Sequence, residues 1–306
     1  MILRRVVDRL LLRGGGRSVS RVTVVIATRN RRSELLRTLD RLEALPDRPV
    51  VVVVDNGSGD GTATAVTDRH PAVRVVPLGR NRGAAARNVG VHLARTPYVA
   101  FSDDDSWWEP GALTRAAELF DAHPRLGLIA ARALVGPDRE PDPINAAMAE
   151  SPLPPDPGLP GPPVLGFLAC ASIVRRQAFL DVGGFSSLLF FVGEERLLSY
   201  DLAAAGWGLC HVPEIVAVHE PSTNRPPSHR RRRSELRNTV LTAWMRRPGL
   251  VAVRETARLG ARALRDGDSR AALAGAAVRL PSALAARRPV PATVEGGIRR
   301  LAGETR

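Results

Sequence analysis

The sequence predicts an α/β protein: a buried sheet with helices on both faces, followed by a basic helical extension. Three observations carry that reading. The runs "VTVVIA" (22–27) and "VVVVV" (50–54) are apolar without alternation, as in strands covered on both faces, the pattern of a parallel sheet flanked by helices. Between them, "RRSELLRTLDRLEAL" (31–45) places Leu35, Leu36, Leu39 and Leu42 at helical spacing, completing a strand–helix–strand unit. The alternation then repeats along the chain.

In order, the pattern predicts a helix near 61–69, a strand at 73–77, a helix from Gly83 to about Ala94 and a strand at 98–102. A helix near 110–122 and a strand at 127–135 follow. Residues 137–163 hold ten prolines in twenty-seven positions, a density that predicts a long loop rather than helix or sheet interior. Beyond it come "VLGFLACASIVRR" (164–176), a short helix to Val182, the turn "GGF" (183–185), a helix from about Glu194 to Ala205, and strand-like "LCHVPEIVAVHE" (209–220). From Ser222 the text is Pro- and Arg-rich, then helical and rich in Ala, Arg and Leu, with a break expected at Pro281. The expected organisation is a basic amphipathic segment over 1–21, a sheet domain over 22–221 and a helical tail over 222–306.

Composition bounds the function. With 306 residues, 44% of them hydrophobic, the chain is not disordered. The net charge of +13 includes no lysine and sits on the flanks: residues 1–21 carry six arginines against one acid, residues 225–306 nineteen against six. Basic amphipathic flanks read as a contact with an anionic membrane surface, with nucleic acid the weaker reading, or as solvated helix faces. Cys170 and Cys210 make neither a disulfide framework nor a zinc motif and are expected as buried thiols. The N-terminus lacks the uninterrupted apolar core of a signal peptide, and no stretch approaches the ~18 apolar residues of a spanning helix. The expected location is cytoplasmic, peripheral on the inner face of a membrane.

In open α/β sheets, ligands bind beyond the carboxyl ends of the strands. Four such ends, "TRNR" (28–31), "DNGSGDGT" (55–62), "LGRNRG" (78–83) and "SDDDS" (102–106), are polar and rich in Gly, Asn, Asp or Arg. Asp103, Asp104 and Asp105 repel one another unless a hard cation such as Mg²⁺ or Mn²⁺ holds them, with substrate phosphates completing its shell; a helix cap explains one such acid, not three. Asp55 after the second strand suits a nucleobase or ribose, or an Asx turn with Ser58. Arg87 near a helix start suits a phosphate, or is an exposed helix residue. Trp107 and Trp108 suit a sugar face or the core.

Taken in this order, "ATRNR", "VVDNGSGDGT", "NRGAAARN", "FSDDDSWWEP", "CASIVRRQAFLDVGGF", "GEERLL" and "GWGLCHVPEIVAVHE" resemble the inverting family 2 glycosyltransferases of the GT-A fold over residues 20–221. The resemblance implies a Rossmann-like nucleotide-binding sheet and a metal-dependent sugar transfer from a nucleoside-diphosphate sugar. It implies that Thr28, Asn30 and Arg31 border the nucleotide, that Asp55 pairs with the base beside Ser58, and that Arg87 lies near the base or pyrophosphate. Asp103 and Asp105 become the D-x-D pair, with Asp105 the direct metal ligand and Asp104 a ribose contact. His219 joins the metal and diphosphate, and Glu195, next to Glu194, becomes the catalytic base. The implied cofactor is Mg²⁺ or Mn²⁺, and the implied acceptor a glycan, lipid-linked molecule or small molecule.

Departures from the family pattern fall on the acceptor side: Glu-Glu stands where Glu-Asp is common, and Ser186 follows "GGF" where an acid is common. No Q-x-x-R-W segment follows, which argues against a processive synthase. Two rivals differ in class. A sugar-1-phosphate nucleotidyltransferase opens with a Gly-rich loop and uses a lysine, and both are missing here. The second is a non-enzymatic nucleic-acid or membrane binder with a degenerate transferase core.

Overall fold

The computed structural model describes residues 20–222 and 228–303; the basic segment expected over 1–21 therefore lies, but for its last two residues, outside the described residues. Among the described residues, nine strands form one sheet. They are β1 (Val22–Thr28), β2 (Val50–Asp55), β3 (Arg74–Pro77), β4 (Tyr98–Ser102), β5 (Ser106–Trp108), β6 (Leu126–Val135), β7 (Glu140–Pro141), β8 (Ser172–Arg175) and β9 (Gly208–His219). Their order across the sheet is β3-β2-β1-β4-β8-β6-β9-β5, with β7 paired to β6. The first four strands are mutually parallel.

The apolar runs are unbroken because both faces are covered. Val24 and Ile26 pack with Leu35, Leu39 and Leu42 of α1 (Arg32–Glu43) on one face. Val25, Val52 and Val54 pack with Ala86 and Val91 of α3 (Ala86–Leu93) on the other, α2 (Thr62–Arg69) lying between them in sequence. α4 (Ala112–Ala122) joins the α1 side through Leu113, Ala116 and Phe120. Against the expectation of a parallel sheet, the far half is mixed: β8 runs antiparallel to β4 and β6, and β5 antiparallel to β9. Phe179 of α6 (Arg176–Asp181), Phe101 and Phe185 pack with ring centroids 5.4–5.6 Å apart beneath the "GGF" turn.

Two sequence expectations need correction, and the open choice at Trp107 and Trp108 is decided for the core. The proline-rich stretch 137–163 is not all loop: β7 and α5 (Ile144–Ala149) occupy it, the helix falling in its longest proline-free interval. Trp107 and Trp108 form β5 rather than a sugar platform; both are buried, and Arg41 lies 3.7 Å over the Trp107 ring. Pro281 does not break its helix. α10 (Gly267–Ala285) runs through it, since one missing N–H is tolerated where a helix is held by packing on its other face.

The C-terminal helices build their own core. α8 (Ser228–Arg246), α9 (Gly249–Ala263) and α10 bury Val240, Leu241, Met245, Leu259, Ala272 and Ala276 together with Leu189 and Leu197 of the sheet domain. α7 (Glu194–Ala204) is the shared element: Asp201 forms an ion pair with Arg246. α11 (Ala292–Leu301) returns to α7 by burying Ile298 against Tyr200, while its Glu295 accepts two hydrogen bonds from Arg247 at 2.9 and 3.1 Å.

Candidate active site

Parallel pairing brings the strand ends together. Thr28 sits opposite Asp55 in the β1–β2 register, and Ser102 ends β4 beside β1. The Thr28 hydroxyl donates to the Asp104 carboxylate at 2.9 Å, and Thr38 donates to the Asp104 carbonyl at 2.9 Å. Asp55 is buried and accepts the Ser58 N–H at 3.0 Å. The Asn30 N–H donates to the Ser58 hydroxyl at 2.9 Å, and the Asn30 side chain accepts the Gly59 N–H at 2.8 Å. Asn30 thus holds a left-handed backbone (φ 53°) that clasps the two loops. Arg31 reaches Glu34 at 3.3 Å and the hydroxyl of Ser222.

The three aspartates are held apart by different partners. The buried Ser106 hydroxyl accepts the Asp103 N–H at 2.7 Å and closes a turn. β5 then hooks onto β9, pairing Ser106 with His219. That hook sets Asp105 3.3 Å from the His219 ring, while the Ser222 N–H donates to Asp105 at 3.0 Å. Asp103 instead pairs with Arg87. Burial, then the charges of Asp103 and Asp105, push the Asp104 carboxyl up to about 7. Among the described residues, no three His, Cys, Asp or Glu side chains form a ready metal cage. Asp105 and His219 supply an oxygen and a nitrogen donor side by side, which suits a divalent ion that takes its other ligands from substrate and water.

Arg87 joins the two halves of the site. It is buried, and although desolvation pulls its pKa down, the charges of Asp103, Glu194 and Glu195 hold it above its usual value. Glu194 and Glu195 open α7. Glu194 is 1% exposed, its Oε2 has no hydrogen-bond partner, and burial followed by the neighbouring Glu195 charge raises it to about 8. Glu195 is half-buried and is raised chiefly by burial. A carboxylate with a raised pKa suits a general base, and of the two glutamates Glu195 is the one whose residue keeps some surface exposure. Both cysteines are buried thiols as expected, with Cys170 pushed well up by burial.

The loop before this helix is tightly determined. Phe190 and Val192 have φ of 67° and 71°, costly for branched and bulky residues. The Phe190 carbonyl accepts the Ala84 N–H at 2.7 Å, and a Cβ on Gly83 would lie 2.0 Å from that carbonyl oxygen, so only glycine fits there. Asn88 clasps Phe185 through two hydrogen bonds of 2.9 and 3.0 Å. From the C-terminal helices, buried Asn238 donates to the carbonyls of Leu189, Phe191 and Val192. Sequence reasoning did not single out Asn238, Asn88 or Ser222. The one available signal was an asparagine facing inward on an otherwise arginine-rich helix.

Residues 23–183 match the family Glycosyl transferase family 2, slightly more than half of the chain. The chain is 29% identical to the N-acetylglucosaminyl-diphospho-decaprenol L-rhamnosyltransferase of Mycobacterium tuberculosis, over 67% of this chain and 78% of that protein. It is 32% identical to the pre-mycofactocin glycosyltransferase of the same organism, over 66% of this chain and 43% of that one. Among solved structures, a mannosyltransferase from Pyrobaculum calidifontis in complex with GDP-Man and Mn²⁺ superposes with a TM-score of 0.56 and 21% identity, covering 100% of this chain and 83% of that one. S. aureus TarS in complex with UDP-GlcNAc gives a TM-score of 0.57 and 19% identity, covering 72% and 66%. These structures share the GT-A fold with this chain. The family match sets aside the nucleotidyltransferase and non-enzymatic readings.

Proposed function

For a chain that belongs to glycosyl transferase family 2, and is therefore a glycosyltransferase, we propose transfer of a sugar from a uridine- or deoxythymidine-diphosphate sugar to a hydroxyl of a lipid-linked or cell-envelope glycan. One observation carries this reading: Arg87 pairs with Asp103 while lying in the field of Glu194 and Glu195, so the donor-side acids and the base-side acids meet at one centre. Asp55, Ser58, Asn30, Arg31 and Thr28 form the nucleotide side. Asp105 and His219 would hold Mg²⁺ or Mn²⁺, with Asp103 nearby. Such an ion, when bound, supplies positive charge against the charge that develops on the departing diphosphate.

Glu195 takes the proton of the acceptor hydroxyl as it attacks the anomeric carbon from the face opposite the diphosphate, inverting that centre. Glu194, sealed and raised to about 8, stays protonated and spares Glu195 a second adjacent charge. The acceptor class is supported by the relatives, one of which is named for a diphospho-decaprenol acceptor. Access from the cytoplasmic side of an anionic membrane is the companion reading, in keeping with the basic flanks.

A thermal-shift panel of nucleoside diphosphates with and without Mn²⁺, on the wild type and Asp105→Ala, tests the reading. Metal-dependent stabilisation by one nucleotide, lost in the variant, is the expected result. Absence of stabilisation by every nucleotide, in either condition, refutes it.

A further inference from the structure

The outer surface of the C-terminal helices is the feature that sugar transfer does not use. On α9 and its C-cap, Leu250, Val253 and Leu264 are 86%, 54% and 84% exposed. With exposed Ala257 and Ala261 they fall within one narrow stripe at 100° per residue. Arg254, Arg258, Arg262 and Arg265, all exposed, run along one side of that stripe. The opposite side of α9 is the one that buries Leu259 and Ala263.

α10 packs beside α9 and repeats the apolar pattern, with exposed Arg270 on its outward side near its start. Its outward residues include Ala274, Ala277, Val278, Pro281 and Leu284, all exposed, with Val278 at 79%. A surface helix ordinarily turns charged and polar residues outward. The acids of the two helices, Glu255 and Asp268, are each engaged by an arginine, Arg258 at 2.7 Å and Arg233 at 2.6 Å.

We propose that this paired face of α9 and α10 docks on an anionic phospholipid surface, its apolar stripe entering the headgroup boundary and its arginines meeting the lipid phosphates. Charge decides between lipid and a second copy of this chain. A two-fold contact with its axis across α9 would set the arginine row of one copy against that of the other, where the one acid of α9, Glu255, is already held by Arg258 at 2.7 Å. The face is also placed for the chemistry. Arg232 and Arg233 bind Asp266 and Asp268 at 3.1 and 2.6 Å, bringing the Leu264 end of the face to the start of α8. From α8, Asn238 donates to the carbonyls of Leu189, Phe191 and Val192, directly before Glu194. The docked surface therefore lies at the end of the helical unit that reaches the base.

This deepens the membrane part of the proposed function, and its test reads binding without any sugar transfer. The full chain is floated with vesicles of phosphatidylglycerol and phosphatidylcholine, and with phosphatidylcholine alone. The same is done for Leu250→Ser/Val253→Ser/Leu264→Ser and for Arg254→Gln/Arg258→Gln/Arg262→Gln/Arg265→Gln. Because every substituted side chain is exposed, melting temperatures should stay close to wild type. The expected result is flotation of the wild type on the anionic vesicles, and a loss of about tenfold or more in each variant. Flotation of the apolar variant at the wild-type level overturns the proposal and moves attention to the N-terminal arginines. A wild-type dimer that the apolar variant dissolves, in sedimentation of the lipid-free proteins, also overturns it, since the face would then cover itself. Nucleotide stabilisation measured on the same three proteins keeps the donor-site reading separate: failure of either leaves the other standing.

Discussion

The side-chain amide of Asn238 donates to the Val192 carbonyl at 2.7 Å, and reaches the Leu189 and Phe191 carbonyls at 2.9 and 3.0 Å. One buried amide thus holds a loop with two positive-φ residues directly before Glu194. Asn238→Asp keeps the shape but has no N–H to give, and sets a carboxylate against three carbonyls. Expected are a turnover lower by about tenfold or more, unchanged nucleotide affinity, and faster amide exchange over residues 189–195. Met245→Ala removes buried volume from the same helical core while leaving the Asn238 hydrogen bonds in place and serves as the control. Equal losses of turnover in the two variants, assayed well below both melting points, would show that stability alone is at work.

The two adjacent glutamates are predicted to separate on substitution. Glu195→Gln removes the base and should lower turnover by about a hundredfold or more while leaving nucleotide affinity in place. Glu194→Gln replaces a sealed, protonated acid with a near-isostere and should keep most activity near neutral pH. Single-turnover rates of both variants decide the assignment, and the reverse order would exchange their roles.

Asp104 gives a pH signature. Its folded carboxyl is raised to about 7, so the folded state keeps a proton that the unfolded chain releases near pH 4. Its contribution to stability is complete at low pH and is lost as pH rises through about 7. Asp104→Asn does not titrate. Its melting temperature relative to wild type, without metal or nucleotide, should therefore climb between about pH 5 and pH 8; a constant difference across that range contradicts the assignment.

The join between α11 and α8 is ionic. Glu295 is buried, and although desolvation opposes it, the hydrogen bonds from Arg247 and Arg299 hold its carboxyl below the usual range. Glu295→Gln leaves Arg247 without its counter-charge and should cost about 3 kcal/mol in denaturant unfolding. The loss should shrink as pH falls through the carboxylate range, because the wild type then protonates as well.

Much of the donor half was legible in the chain because it is local. Unbroken valine runs demand cover on both faces, and polar residues gather where parallel strands end, so Thr28, Asp55 and Asp103–Asp105 could be placed on one edge by counting. Helix α7 was legible from the pattern of the chain, and its two glutamates were singled out by the family resemblance. Tertiary structure decided what depends on partners far apart in sequence. That Asp105 faces His219 while Asp103 turns to Arg87 follows from three residues of β5 pairing with β9, a pairing too short to leave a pattern. The choice between core and sugar platform for Trp107 and Trp108 also fell to the tertiary structure, since an aromatic pair has the same spelling in both, and the core reading is the one that holds. The C-terminal arginine run read as a membrane-surface contact or a solvated helix face, and its helix also carries Asn238 into the base loop, because a single buried amide is fixed by the carbonyls around it and not by its neighbours in sequence.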